Sequence, residues 1–166
     1  MDDERALVEK ARSLLAGVTP LSSDCGRVCG HACCQPDENG KGGMLLFPGE
    51  AALYADDPDF EVLPDETVVP DGRLIVCKGT CRRENRPLAC RFFPMRPTAG
   101  GKAVMDRRSA WVCPLYEGGR GALLPDFVAA CDSAAHVLAA SEVQRTFLTA
   151  LRDRIRMETD ETNWWR

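Results

Sequence analysis

The chain has 166 residues and a mass of 18.2 kDa, with 45% hydrophobic and 28% charged residues, the size and balance of one domain able to bury a core without covalent staples. A net charge of −4 gives no whole-protein case for nucleic-acid binding. No apolar run reaches the ~18 residues of a membrane span, and the start, Met1-Asp2-Asp3-Glu4-Arg5, lacks the apolar stretch of a secretory signal, so a cytoplasmic location is expected. Cysteine is the outlier, with nine residues; in a reducing compartment, clustered thiols point to metal binding or redox chemistry rather than to disulfides.

In chain order, Leu7, Val8, Ala11, Leu14, Leu15 and Val18 recur at steps of three and four and predict an amphipathic helix over 2–18, ended by Gly17 and Pro20. Residues 21–43, rich in Gly, Ser, Asp and Cys, read as loop. The apolar stretch Met44–Phe47 leads into a helix expected over 48–55, with Pro48 in its first turn, Glu50 near its positive end, and Asp56-Asp57-Pro58-Asp59 as its breaker. Strand material fills 60–77: Phe60, Val62 and Leu63, then Thr67-Val68-Val69, then Leu74-Ile75-Val76, separated by Pro64-Asp65 and Pro70-Asp71-Gly72 turns. Residues 78–98, with their cysteines, arginines and prolines, exclude a regular helix. Gly100-Gly101 reads as a hairpin turn before Ala103-Val104-Met105. Helices are expected over 125–140 and 142–157, the second opened by a capping box of Ser141 and Gln144. The tail Glu158–Arg166 is expected to fray.

Eight of the nine cysteines lie between positions 25 and 113: Cys25, Cys29, Cys33 and Cys34; Cys77, Cys81 and Cys90; and Cys113 before Pro114. Metal capture requires sulfurs converging at ~2.3 Å from one ion, which short spacings supply at small entropic cost. Gly26, Gly30 and Gly79 flank candidate ligands and allow knuckle-like turns with N–H groups facing sulfur. The vicinal pair Cys33-Cys34 serves one centre only if the backbone bends, so it suits a multinuclear cluster or two nearby sites. Eight thiols would complete two four-ligand sites, whether zinc, iron–sulfur or one of each; a single site with spare redox thiols is the other arrangement. His31 is a reserve ligand within the first group, whereas Cys131 and His136 read as helix residues. Between Arg73 and Arg96 there are seven basic residues (Arg73, Lys78, Arg82, Arg83, Arg86, Arg91, Arg96) and one acid, Glu84, whereas Glu50–Glu66 holds seven acids and no base. That pattern predicts a bipolar molecule, with guanidinium groups placed to stabilise thiolates.

The group ending in Cys33-Cys34, the Pro48-Gly49-Glu50 segment, Gly79-Thr80-Cys81, Arg86-Pro87 with Cys90-Arg91-Phe92-Phe93-Pro94, and Cys113 together resemble the bacterial cysteine-cluster family described as a zinc- or iron-chelating domain (YkgJ type), to which flagellin lysine N-methylases are similar. The resemblance covers about residues 21–115. It departs from the family in its three-residue gaps between the first cysteines and in the extra Cys77. It implies metal ligation by Cys25, Cys29, Cys33, Cys34, Cys81, Cys90 and Cys113; Cys77, four residues before Cys81, joins the candidate ligands as a member of the same cysteine group. Pro87 and Pro94, with Phe92 and Phe93 as core anchors, would hold Cys90 rigidly, while Arg86 and Arg91 pair with sulfur charge or with the acids of 50–66.

The expected fold class is α+β: one small irregular domain over 1–166, with a loop-rich cysteine and metal core at about 21–115, a few short strands, and flanking helices over 2–18 and 125–157. The expected function is metal binding, as an iron–sulfur cluster ([4Fe-4S]) or Zn2+ with iron–sulfur preferred, in a structural, redox or partner-recruiting module. An enzyme or enzyme component in redox or protein lysine-methylation chemistry is the first alternative. Nucleic-acid binding through the Arg73–Arg96 run is the second. Expected partners are metal ions and a protein; no membrane association is expected.

Overall fold

The apolar stripe near the N-terminus forms helix α1, Asp2–Leu14, which buries Val8 and Ala11 and carries Asp2, Asp3 and Glu4 in its first turn, where acids complement the helix dipole. The computed structural model describes residues 2–22, 30, 32–34, 42–78 and 81–163. Within them lie helices α2 (Leu88–Phe92), α3 (Pro125–Leu138) and α4 (Glu142–Asn163), and strands β1 (Met44–Leu45), β2 (Phe60–Pro64), β3 (Arg73–Cys77), β4 (Met95–Pro97) and β5 (Ala103–Met105). The chain is thus a small α+β domain with helices flanking two short antiparallel sheets. One sheet has the order β1-β3-β2 and the other pairs β4 with β5. None of these helices is long and apolar enough to cross a membrane.

The larger apolar core belongs to the helices. Val8, Ala11 and Leu15 meet Phe127, Cys131, Ala134, Ala135 and Leu138 of α3 and Phe147, Leu148, Leu151 and Ile155 of α4. Phe47, Leu88, Phe92 and Met95 from the middle of the chain insert into the same cluster. A smaller core of Leu46, Tyr54, Phe60 and Ile75 lies against the three-stranded sheet. Leu46 and Phe47, neighbours in sequence, therefore enter different cores. At the next turn, Gly49 has φ +86°, and a Cβ there would lie 2.6 Å from the Arg5 backbone nitrogen; only glycine allows α1 to approach so closely.

Several elements differ from the sequence expectations. Thr67-Val68-Val69 is not a strand: Val68 and Val69 pack on the helical core, and Asp65 accepts hydrogen bonds from the Thr67 N–H and hydroxyl, closing a turn instead. The helix expected over 48–55 is a single 3-10 turn, Ala51–Tyr54. A five-residue helix, α2, forms within 78–98, starting directly after Pro87, whose missing N–H costs nothing at a helix start. The capping box is half formed: Ser141 Oγ accepts from the Gln144 N–H at 3.3 Å, but the Gln144 side chain donates to Glu4 and to the Pro48 carbonyl. The fraying expected from Glu158 onward is not found in the described residues: the last helix, α4, continues to Asn163 with Thr159 buried. Trp164 and Trp165 lie outside the described residues.

The β4–β5 hairpin turns at Gly101, where φ is +81°. It is fixed to α3 by Asp132, which accepts from the Ala103 N–H at 3.0 Å and from Arg120 at 2.7 Å, while Arg120 also donates to the Ala103 carbonyl at 2.6 Å. The Arg120 hydrogen bond is the main cause that holds the Asp132 carboxyl below its usual range.

Candidate metal centre

Cys81 and Cys90 come from separate stretches, Cys81 beside the smaller apolar core and Cys90 on the helix that enters the larger one, and Cys34 lies near enough for its charge to act on Cys90. Cys90 lies on α2 between core residues Leu88 and Phe92. Cys81 packs on the smaller core, as does Cys77 at the end of β3. The charges of Cys34 and Cys81 both act on Cys90, and all three thiols act on Arg86. Burial is the largest influence on Cys90 and pushes its thiol pKa up; the charges of Cys34, Cys81 and Glu50 push it the same way, and Arg86 opposes them. Burial alone would lower the Arg86 pKa, but its hydrogen bond to Cys81 and the charges of Cys81, Cys90 and Cys34 more than offset this, leaving it raised.

Within the vicinal pair, Cys33 is exposed and Cys34 half-buried, as expected for neighbouring side chains that point apart. Cys77 and Cys113 are also half-buried, and Cys113 follows the 3-10 turn Arg107–Trp111, donating its N–H to the Ser109 carbonyl at 2.8 Å. Cys25, Cys29 and His31, together with Gly26 and Gly79, lie outside the described residues. Among the described residues, no three His, Cys, Asp or Glu side chains form a metal-ligating group. Cys81, Cys90 and Cys131 take part in no disulfide. Cys131 is a core residue, fully buried on α3 with its pKa pushed up to about 12 by burial and the Asp132 charge, and His136 is exposed on the same helix.

A polar frame holds this cluster. Glu50 is completely buried, and its two carboxylate oxygens accept from the backbone N–H groups of Phe47 (3.0 Å) and Leu88 (2.7 Å). It therefore caps α2, the helix of Cys90, rather than the helix expected at its own position. Arg91 donates from Nε to the Arg86 carbonyl (2.8 Å) and from Nη2 to the Glu84 carbonyl (2.7 Å). The two arginines thus divide their roles: Arg86 faces sulfur, and Arg91 fixes the turn Arg83–Asn85 and the backbone of Arg86. The tyrosine hydroxyl of Tyr54 donates to the Asn85 carbonyl at 2.9 Å and accepts from Arg12 of α1 at 2.8 Å. Of the two expected aromatic anchors, Phe92 is fully buried, whereas Phe93 is half-buried.

The basic and acidic stretches touch where residues 78–85 meet Pro58 and its neighbours. Arg82 pairs with Asp59 at 3.3 Å and approaches Asp57 to 4.0 Å, Asn85 donates to Asp57 at 2.9 Å, and Lys78 donates to the Pro58 carbonyl at 2.9 Å. Sequence reading missed Glu50 as the brace of Cys90 because its partner, Leu88, lies 38 positions away; the one available signal was an acid directly after a Pro-Gly turn beside apolar residues.

Replacing Arg91 by alanine is expected to free two backbone carbonyls of the 84–86 turn and to destabilise the chain by about 2–3 kcal/mol, since hydrogen bonds from a charged donor are each worth roughly 1.5–3 kcal/mol in partly buried settings. Urea denaturation measures this; Arg91→Lys, which cannot reach both carbonyls in one fork, should recover less than half of it. Comparison of the chain with family models, with curated proteins and with solved structures returned no match.

Proposed function

We propose that this chain is a metal-binding protein whose clustered cysteines hold an iron–sulfur cluster or zinc, with Cys34, Cys81 and Cys90 among the ligands and Arg86 as the cation beside them. The observation that carries this reading is the mutual electrostatic action of Cys34, Cys81, Cys90 and Arg86 across three chain segments. The donor set fits a cation: burial and the charges of Cys34 and Cys81 disfavour the ionised form of Cys90, a positive ion beside it would reverse this, and one guanidinium offsets only one charge. Cys25, Cys29, Cys33, Cys77 and Cys113 complete the candidate ligand set on the strength of their spacing and of the family resemblance. Iron–sulfur is preferred because adjacent cysteines suit a multinuclear centre and Cys113-Pro114 is similar to a ferredoxin-type final ligand.

Such a centre would supply electron transfer or a structural anchor for the loop-rich segment, and structural metal can contribute ~10 kcal/mol or more of folding energy. The basic run supports nucleic-acid binding poorly, because Arg82 and Lys78 are bound to the acidic segment and Arg86 and Arg91 to the thiol cluster and its backbone.

Anaerobic purification, followed by metal and sulfide analysis and a visible spectrum, tests the reading. A brown protein with iron and labile sulfide is expected; a colourless one with about two zinc per chain would assign zinc instead. Cys81→Ser and Cys90→Ser should each lose most of the metal, while Cys131→Ser retains it. Metal content near zero in the wild-type chain, or unchanged in the first two variants, overturns the proposal.

A further inference from the structure

A second polar group lies apart from the thiols, where β4, β5 and the turn after β5 come together. Asp106 is 1% exposed, and both of its oxygens are already taken by one residue. Oδ1 accepts from the Arg108 backbone N–H (2.9 Å) and from Arg108 Nε (3.1 Å), and Oδ2 accepts from Arg108 Nη2 (2.7 Å). Arg96 on β4 is left over. Its Nε is buried with no hydrogen-bond partner, and its Nη1 reaches the Pro97 carbonyl only at 3.5 Å, the outer limit of a hydrogen bond. Burial lowers the Arg96 pKa; Asp106 opposes this, and the charges of Arg108, Arg156 and Arg152 add to it. Arg96, Arg108, Arg152 and Arg156 thus stand against Asp106 and Glu158, so guanidinium outnumbers carboxylate, and the Nε of the half-buried Arg96 is buried without a partner.

Buried donors in folded proteins are almost always satisfied by protein, water or an ion. Arg96, Asp106 and Arg108 line a cleft of about 20 Å3 whose other walls include Phe47, Phe92 and Leu151, room for one water-sized group. The surplus positive charge favours an oxygen that carries negative charge, and an arginine fork suits carboxylate or phosphate. We propose that this cleft receives one oxygen of a small oxyanion, a carboxylate or a phosphate, through Arg96, with the rest of the anion at its open mouth. Ala89 and Phe92 line the same cleft, so the bound oxyanion lies against the helix that carries Cys90.

The test is thermal unfolding of the full chain titrated with sodium acetate or inorganic phosphate, against sodium chloride at matched ionic strength. A saturable rise in Tm is expected with at least one of the two oxyanions and not with chloride, reaching roughly 5–10 °C at about 100-fold the Kd. General salt exclusion would instead give a rise without saturation. The tighter of the two identifies the head group. Arg96→Met should remove the saturable component; Arg96→Lys, which keeps the charge and loses the fork, should weaken binding roughly tenfold and decides the matter if the methionine variant does not fold. Equal behaviour in all three salts, or saturable binding unchanged in these variants, overturns the proposal and leaves the cleft as a water site.

Discussion

Glu50→Ala is expected to destabilise the protein by about 3–5 kcal/mol and to lower Tm by roughly 10 °C or more. Both Glu50 oxygens are engaged at 0% exposure, one by the Phe47 N–H and one by the Leu88 N–H, so truncation leaves two buried donors unpaired at about 1–3 kcal/mol each and opens a void. With total stabilities of about 5–15 kcal/mol typical of single domains, this is a large fraction of the fold. Glu50→Gln should be milder, since one carbonyl acceptor remains. The carboxylate also makes the loss pH-dependent. Burial raises the Glu50 pKa above its usual 4.5, with the two backbone hydrogen bonds opposing. At pH values between 4.5 and that raised value, the folded chain holds a proton there that the unfolded chain releases. The resulting stabilisation is full below about pH 4.5 and is lost as pH rises through the raised folded value. Urea midpoints of wild type and Glu50→Gln between pH 5 and 7 measure this: the wild type should gain relative to the variant as pH falls. A constant difference would show that Glu50 does not titrate in that window.

Phe92→Ala should cost about 3–5 kcal/mol, the range for emptying a buried aromatic site. Phe92 is 0% exposed, stacks 6.5 Å from Phe47, and sits in the cluster built by α1, α3 and α4. It is also the last residue of α2, two positions from Cys90. The substitution should therefore reduce metal retention along with stability, whereas Phe93→Ala, at a half-buried position, should cost less than half as much. Equal costs for the two would mean that α2 is not anchored through Phe92. Leu148→Ala, in the same core but on α4, separates the effects: it should cost stability and leave metal content per folded chain unchanged.

The contrast between these positions indicates how far sequence reading reaches here. Helices α1, α3 and α4 were legible because three- and four-residue apolar periodicity is local and redundant, although α1 stops at Leu14 instead of reaching 18 and α4 runs past Glu158 to Asn163. The hairpin at Gly100-Gly101 was legible because a positive-φ turn demands glycine. Thr67-Val68-Val69 misled because β-branched composition also serves a turn whose valines reach the helical core. The contact between the charge blocks was not legible, because composition says how many charges there are, not that Arg82 lies across from Asp57 and Asp59.

By itself the sequence determined the α+β class, the main helices, and the grouping of thiols and arginines in the middle of the chain, since each rests on neighbours within a few residues. Only the tertiary structure decided that Glu50 caps the helix of Cys90, that Arg91 grips backbone carbonyls while Arg86 turns to Cys81, and that Arg96 is left facing a cleft. Pairings that span tens of residues are selected by burial and by the need to satisfy each buried polar group, and neither leaves a fixed spacing in the chain.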